Sequence, residues 1–126
     1  MRRFALTVAL IASALVALPG VALAHPKLLA ASPANKATVT RPTKLSLSFS
    51  ETLVRPMTGI ELVMTGMPGM ADHAPMPIKG FQTKVNGKNV TITLPRALPA
   101  GSYLLKWHAV AADQHRVEGS YTFTVR

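Results

Sequence analysis

Residues 44–50, KLSLSFS, place Leu45, Leu47 and Phe49 on one side of an extended chain and Ser46, Ser48 and Ser50 on the other. A period of two suits only a strand with one buried and one wet face. The pattern recurs at Ile60, Leu62 and Met64, at Val90, Ile92 and Leu94, and at Tyr121, Phe123 and Val125. SYLLKWHAVA, residues 102–111, is apolar nearly throughout, which predicts a central strand. No segment after residue 24 carries a sustained helical period. Asn86-Gly87, lying between the apolar residues Val85 and Val90, predicts a hairpin with a type I′ turn. Pro26, Pro33 and Pro42 push the opening toward edge strands and turns. Six to eight short strands in about 100 residues fit an all-β fold of about seven antiparallel strands, a Greek-key β-sandwich or barrel of immunoglobulin-like or cupredoxin-like form.

The first 24 residues follow a different grammar. Arg2 and Arg3 precede an apolar run from Phe4 to about Leu18, and small residues end at Ala22-Leu23-Ala24. The run is too short to span a bilayer and is followed by an Ala-x-Ala pattern, so residues 1–24 read as a cleavable signal peptide and residues 25–126 as one exported domain. Cleavage would make His25 the new amino terminus. The export reading places the domain outside the cytoplasm.

Composition then limits what an exported domain of this size can do. The full chain carries a net charge of +9, and losing Arg2 and Arg3 leaves +7. The basic residues are scattered singly, and export removes nucleic acid as the usual partner, so none is expected. There is no cysteine. No disulfide can staple the domain, a blue-copper site is excluded, and any soft metal site must use thioethers.

Against that background MTGMPGMADHAPM, residues 64–76, stands out with Met64, Met67, Met70, Met76 and His73. Methionine most often fills gaps in a core. Spacings of three, three and six, broken by Gly66, Pro68, Gly69 and Pro75, suit neither a strand stripe nor a helix stripe, so residues 65–77 read as a loop projecting from the sandwich. Exposed thioethers invite oxidation, a liability that a function must offset. Thioether is soft, selects Cu(I), and needs no deprotonation.

A second donor set is harder. The α-amine and imidazole of a terminal His25 can chelate together, and Pro26, having no N–H, stops a deprotonated-amide chelate from running on. Asp113 and His115 lie two apart in AADQHRVEG, so an extended chain would turn both to one side. Amine, two imidazoles and a carboxylate favour tetragonal Cu(II). The plainer reading makes Asp113 a turn cap and leaves His115 exposed. His108, on the face opposite Trp107, reads as structural.

HPKLLAASPA at residue 25, FSETLV around Glu51, LVMTGMPGM followed by HAPM, and AGSYLLKWHAVAADQHRVEGSYTFTV together resemble the CopC family of periplasmic copper-binding proteins. The resemblance covers essentially all of residues 25–126. It implies a Greek-key β-sandwich with a Cu(I) site and a Cu(II) site at opposite ends. The Cu(I) ligands would come from Met64, Met67, Met70, His73 and Met76, with the choice among them open, because one residue more separates Met70 from His73 than in the family pattern. The Cu(II) ligands would be His25, Asp113 and His115, with Glu51 a further acidic residue nearby. The leading reading is a copper carrier rather than an enzyme, expected as a monomer, and the resemblance implies the periplasm as its location and a membrane transporter of the CopD type to which it hands copper. Two other readings compete: a copper monooxygenase using an amino-terminal histidine chelate, and a metal-free interaction module whose methionine loop contacts an apolar partner.

Overall fold

The computed structural model describes residues 25–126; the expected signal peptide lies outside the described residues. Nine strands are found there: β1 (Leu28–Ser32), β2 (Thr38–Val39), β3 (Lys44–Phe49), β4 (Gly59–Gly66), β5 (Met76–Pro77), β6 (Gln82–Asn86), β7 (Asn89–Thr93), β8 (Gly101–Val110) and β9 (Arg116–Val125). Seven have five residues or more, which matches the expected number; β2 and β5 have two residues each, too short to carry a period.

The strands form two sheets, ordered β1-β3-β7-β6 and β2-β9-β8-β4-β5, packed as an open Greek-key sandwich rather than a closed barrel. The expectation of a wholly antiparallel fold needs one correction. β2 runs parallel to β9, pairing Thr38 with Thr124 and Val39 with Val125. β8 is central in its sheet, between β9 and β4.

The alternation that sequence predicts is what packs the core. Leu45, Leu47 and Phe49 of β3 face Leu62, Tyr103, Leu105, Trp107 and Phe123 of the second sheet, each at most 9% exposed. Each such aliphatic or aromatic side chain contributes about 1.5–3 kcal/mol through burial, which has to suffice in a domain without disulfides. Trp107 meets Phe49 edge-on at 5.1 Å and keeps its indole on the core side. The ring would overlap any Cβ on Gly119, its partner across β8 and β9, so only glycine fits there.

Two local expectations change. The β6–β7 hairpin exists, but its register pairs Asn86 with Asn89. The turn residues are therefore Gly87 and Lys88, and of these Gly87 alone takes a positive φ, +61°. A glycine first with an ordinary residue second is the type II′ pattern, not the type I′ turn centred on Asn86-Gly87. The segment 65–77 is also less free than a projecting loop. Thr65 and Gly66 extend β4, and Met76-Pro77 return as β5 against Val63 and Met64. Proline is tolerated in β5 because that strand is an edge.

Candidate metal centre

β8 runs the length of the sandwich. Its first residues pair with Gly66, where the methionine segment begins, and its last, Val110, leads into the turn that carries Asp113 and His115. Ten residues of strand put these two places roughly 30 Å apart, at opposite ends.

At the far end the chain turns through Ala111–His115. Gln114 donates its N–H to Ala111 C=O at 2.9 Å and adopts φ +61°. Asp113 Oδ1 accepts the His115 N–H at 3.2 Å, so the carboxylate does cap the turn. Its other oxygen, Oδ2, bonds to the ring Nδ1 of His25 and lies 3.7 Å from Nδ1 of His115. Asp113 and His115 thus converge through a left-handed residue in a turn, not through the extended chain that their spacing suggests.

His25 reaches them across 88 residues of sequence. Its ring and that of His115 meet nearly perpendicular, centroids 5.0 Å apart. Among the described residues, His25, Asp113 and His115 are the one group of three histidine or carboxylate side chains whose ligand atoms all lie within 4.8 Å of one another. Glu51 is half-buried and outside this group. The carboxylate side chain is 7% exposed while the two rings are 59% and 74% exposed, so the anion lies beneath a lid of imidazoles. Burial pushes the Asp113 carboxyl upward in pKa. The amide of His115, the His25 hydrogen bond and the charge of both rings outweigh burial and hold it below 3.8.

Chemically, this arrangement presents imidazole nitrogens and a carboxylate oxygen that stays ionised, from three chain positions converging on one point. Such a set is suited to a divalent cation of the later first row. His108 takes no part: it faces outward from β8, its ring packed over Gly59, 3.2 Å from where a Cβ would stand.

At the near end, Met67-Pro68-Gly69-Met70 closes on itself. Met67 and Met70 exchange both backbone hydrogen bonds at 2.9 Å, and Gly69 has φ +81°. Proline second and a left-handed glycine third make a type II turn. As directly opposed residues, Met67 and Met70 carry their side chains on one side. His73 is tied back by its N–H to Thr65 C=O at 3.1 Å. Its Nδ1 lies 2.7 Å from Ala74 C=O, which can only accept, so Nδ1 is the donor and Nε2 is the nitrogen left for a metal. That Nε2 is buried and has no partner, an orphan of the kind a soft cation would satisfy.

The methionines are not equivalent. Met67, Met70 and Met76 are 37%, 53% and 49% exposed, whereas Met64 is 5% exposed and belongs to the core. Met57, which sequence analysis passes over, is 55% exposed on the short 3₁₀ turn Arg55–Met57, away from the methionine loop.

A family model described as the CopC domain matches residues 28–126. The chain belongs to the CopC family. Among CopC-like proteins it is similar to Copper resistance protein C of Xanthomonas campestris pv. juglandis, 40% identical over 126 residues that cover 99% of this chain and 97% of that protein. It is also similar to Copper resistance protein C of Escherichia coli, 42% identical over 106 residues, 83% of this chain and 84% of that one. The fold is similar to the crystal structure of PcoC, a methionine rich copper resistance protein from Escherichia coli, with TM-score 0.73 and 39% identity over 82% of this chain and all of that one. The crystal structure of CopC from Methylosinus trichosporium OB3b is similar at TM-score 0.64 and 28% identity, over 80% and 93%.

Proposed function

We propose that this CopC-family protein is an exported, periplasmic copper carrier acting in copper resistance and homeostasis, and that copper is its cargo rather than a catalytic cofactor. The observation that carries the reading is the convergence of His25, Asp113 and His115 on one point from distant parts of the chain. Relatives named as copper resistance proteins support it.

Cu(II) would be held by the His25 ring and, once the signal peptide is removed, its α-amine, with Asp113 and His115. A six-membered chelate through amine and Nδ1 has the same nitrogen that now contacts Asp113. Binding would displace that contact and release protons, so uptake weakens in acid. Glu51 is the outer acidic group of this end. Cu(I) would be held at the other end by thioethers of Met67, Met70 and Met76 with His73 Nε2; Met64 lies beneath them in the core. Two sites of different softness let one protein take copper in either oxidation state without performing a reaction on a substrate. A membrane transporter of the CopD type is the natural acceptor, and a monomer offers both ends to it.

The test compares mature protein beginning at His25 with a form carrying one extra glycine before it. Each is titrated with Cu(II), with electron paramagnetic resonance and Trp107 fluorescence as readouts. The native form should bind one Cu(II) with nitrogen-rich tetragonal parameters and the extended form far more weakly. Equal titrations, or none in either, would remove His25 from the ligand set.

A further inference from the structure

An amino-terminal residue is ordinarily the most mobile part of a domain, yet the Cu(II) chelate proposed above needs His25 held over Asp113. We infer that Ser50 is a positioning residue for that chelate, holding the amino-terminal arm in register with the Asp113 turn; this inference rests on the Cu(II) reading.

Two devices restrain the arm. The Pro26 side chain is fully buried, one of the largest such groups in the protein. At the next residue, Lys27 N–H donates to Ser50 Oγ at 2.8 Å, while Ser50 N–H donates to Lys27 C=O at 2.9 Å. The reciprocal pair lies beyond the β1–β3 ladder, whose register starts at Leu28 and Phe49. The hydroxyl is therefore an addition to the sheet rather than a part of it.

The segment that carries Ser50 is tied just as firmly on its other side. Leu53 N–H donates to Gly87 C=O at 2.9 Å, and Val54 N–H donates to Val110 C=O at 2.8 Å. Val110 is the last residue of β8, from which the Asp113 turn departs. Residues 50–54 thus form a bracket, one end gripping the arm behind His25 and the other gripping the strand behind Asp113 and His115. Ordering the arm before metal arrives removes part of the entropy that chelation would otherwise cost. Because Lys27 is exposed and Ser50 only half-buried, water can replace the lost bond, and deleting the hydroxyl should loosen the arm without opening the core.

The experiment uses mature protein beginning at His25, as wild type, Ser50→Ala and Ser50→Thr. Without metal, backbone ¹⁵N relaxation at Lys27 and Leu28 reports the order of the arm; Cu(II) affinity is read by chelator competition and Cu(I) affinity by a chromophoric Cu(I) chelator. Ser50→Ala should lower the order of Lys27 and weaken Cu(II) binding on the order of tenfold, the usual effect of losing a group that orients a ligand. Ser50→Thr, which keeps the hydroxyl, should restore both, and Cu(I) affinity should stay within about twofold, since that end lies roughly 30 Å away. If the wild type binds Cu(II) and Ser50→Ala binds it equally well, the positioning role is overturned while the site stands. If the wild type takes up no Cu(II), the metal reading falls and takes the positioning role with it.

Discussion

Met64 and Met76 sit directly opposite each other across β4 and β5, yet Met64 is 5% exposed and Met76 is 49% exposed. Met64 points into the core, its Cε 3.2 Å from where a Cβ on Gly101 would stand. Shortening it to alanine should cost about 2–5 kcal/mol in chemical unfolding, and Met64→Leu less than about 1.5 kcal/mol. Met70→Leu, out in solvent, should leave stability within about 0.5 kcal/mol and weaken Cu(I) binding more than about tenfold. A Met64→Leu protein that loses Cu(I) as severely as Met70→Leu would make Met64 a ligand in spite of its burial.

Asp113 divides its two oxygens between the turn and the histidines, so Asp113→Asn separates charge from shape. The amide oxygen can still accept the His115 N–H, which now lies 3.2 Å from Oδ1. Cu(II) affinity should drop at least about tenfold and Cu(I) affinity should not move. The same variant isolates an acid-stability effect. A carboxyl whose folded pKa lies below its unfolded value of 3.8 stabilises the fold above that value, and the contribution fades as pH falls through the lowered folded pKa. The stability difference between wild type and variant should therefore be flat above the ordinary carboxyl range and close below it; a gap that widened in acid would reverse the assignment.

Burial pushes both tyrosines, Tyr103 and Tyr121, up to about 12 from 10.0. Their folded pKa values exceed the unfolded one, so their contribution is intact below pH 10.0 and is lost as pH rises toward about 12. The two hydroxyls differ in what they hold. Tyr103 donates to Pro99 C=O at 2.6 Å, while the Tyr121 hydroxyl is buried without a partner. Tyr103→Phe should cost about 0.5–1.5 kcal/mol at neutral pH, and Tyr121→Phe should cost nothing or stabilise. Either change should remove half of the tyrosine share of the alkaline slope in pH-dependent unfolding. An unchanged slope in Tyr121→Phe would mean that its hydroxyl is solvated.

How much of this was legible beforehand depends on the range of the interaction. The long strands were, because burial of one face forces a period of two, and Leu45, Leu47 and Phe49 are at most 2% exposed as that period requires. β2 and β5 were not, because two residues carry no period and their pairing is set by neighbours far along the chain. Asn86-Gly87 marks the β6–β7 turn to within one residue but points to the wrong type, since register is fixed by cross-strand packing and not by the turn dipeptide alone. The spacing of Asp113 and His115 turns them to one side only in an extended chain, whereas a turn with Gln114 at φ +61° brings them together. Nothing local in the sequence signals that His25 meets them; donor chemistry groups the three, and the family resemblance implies the same set. Ser50 carries no signal beyond closing the polar half of the KLSLSFS alternation, one residue past β3.

Gly66 offers the sharpest separation of the two ends. A Cβ there would overlap the Ala71 carbonyl oxygen and stand 3.0 Å from its carbon and 3.4 Å from the Met70 oxygen. On the other side, Gly66 C=O itself lies 2.5 Å from where a Gly101 Cβ would be. All these neighbours are backbone, so none can rotate aside. Gly66→Ala must displace residues 70–71, and with them the Met67–Met70 turn and the His73 tether to Thr65. A stability loss of about 1–3 kcal/mol is expected from the overpacking. Cu(I) affinity should fall with it, measured by chelator competition, while Cu(II) affinity at the opposite end stays at the wild-type value. If instead Gly66→Ala melts lower but keeps wild-type Cu(I) affinity, the thioethers gather around the ion without help from the turn, and loop geometry is not what selects it.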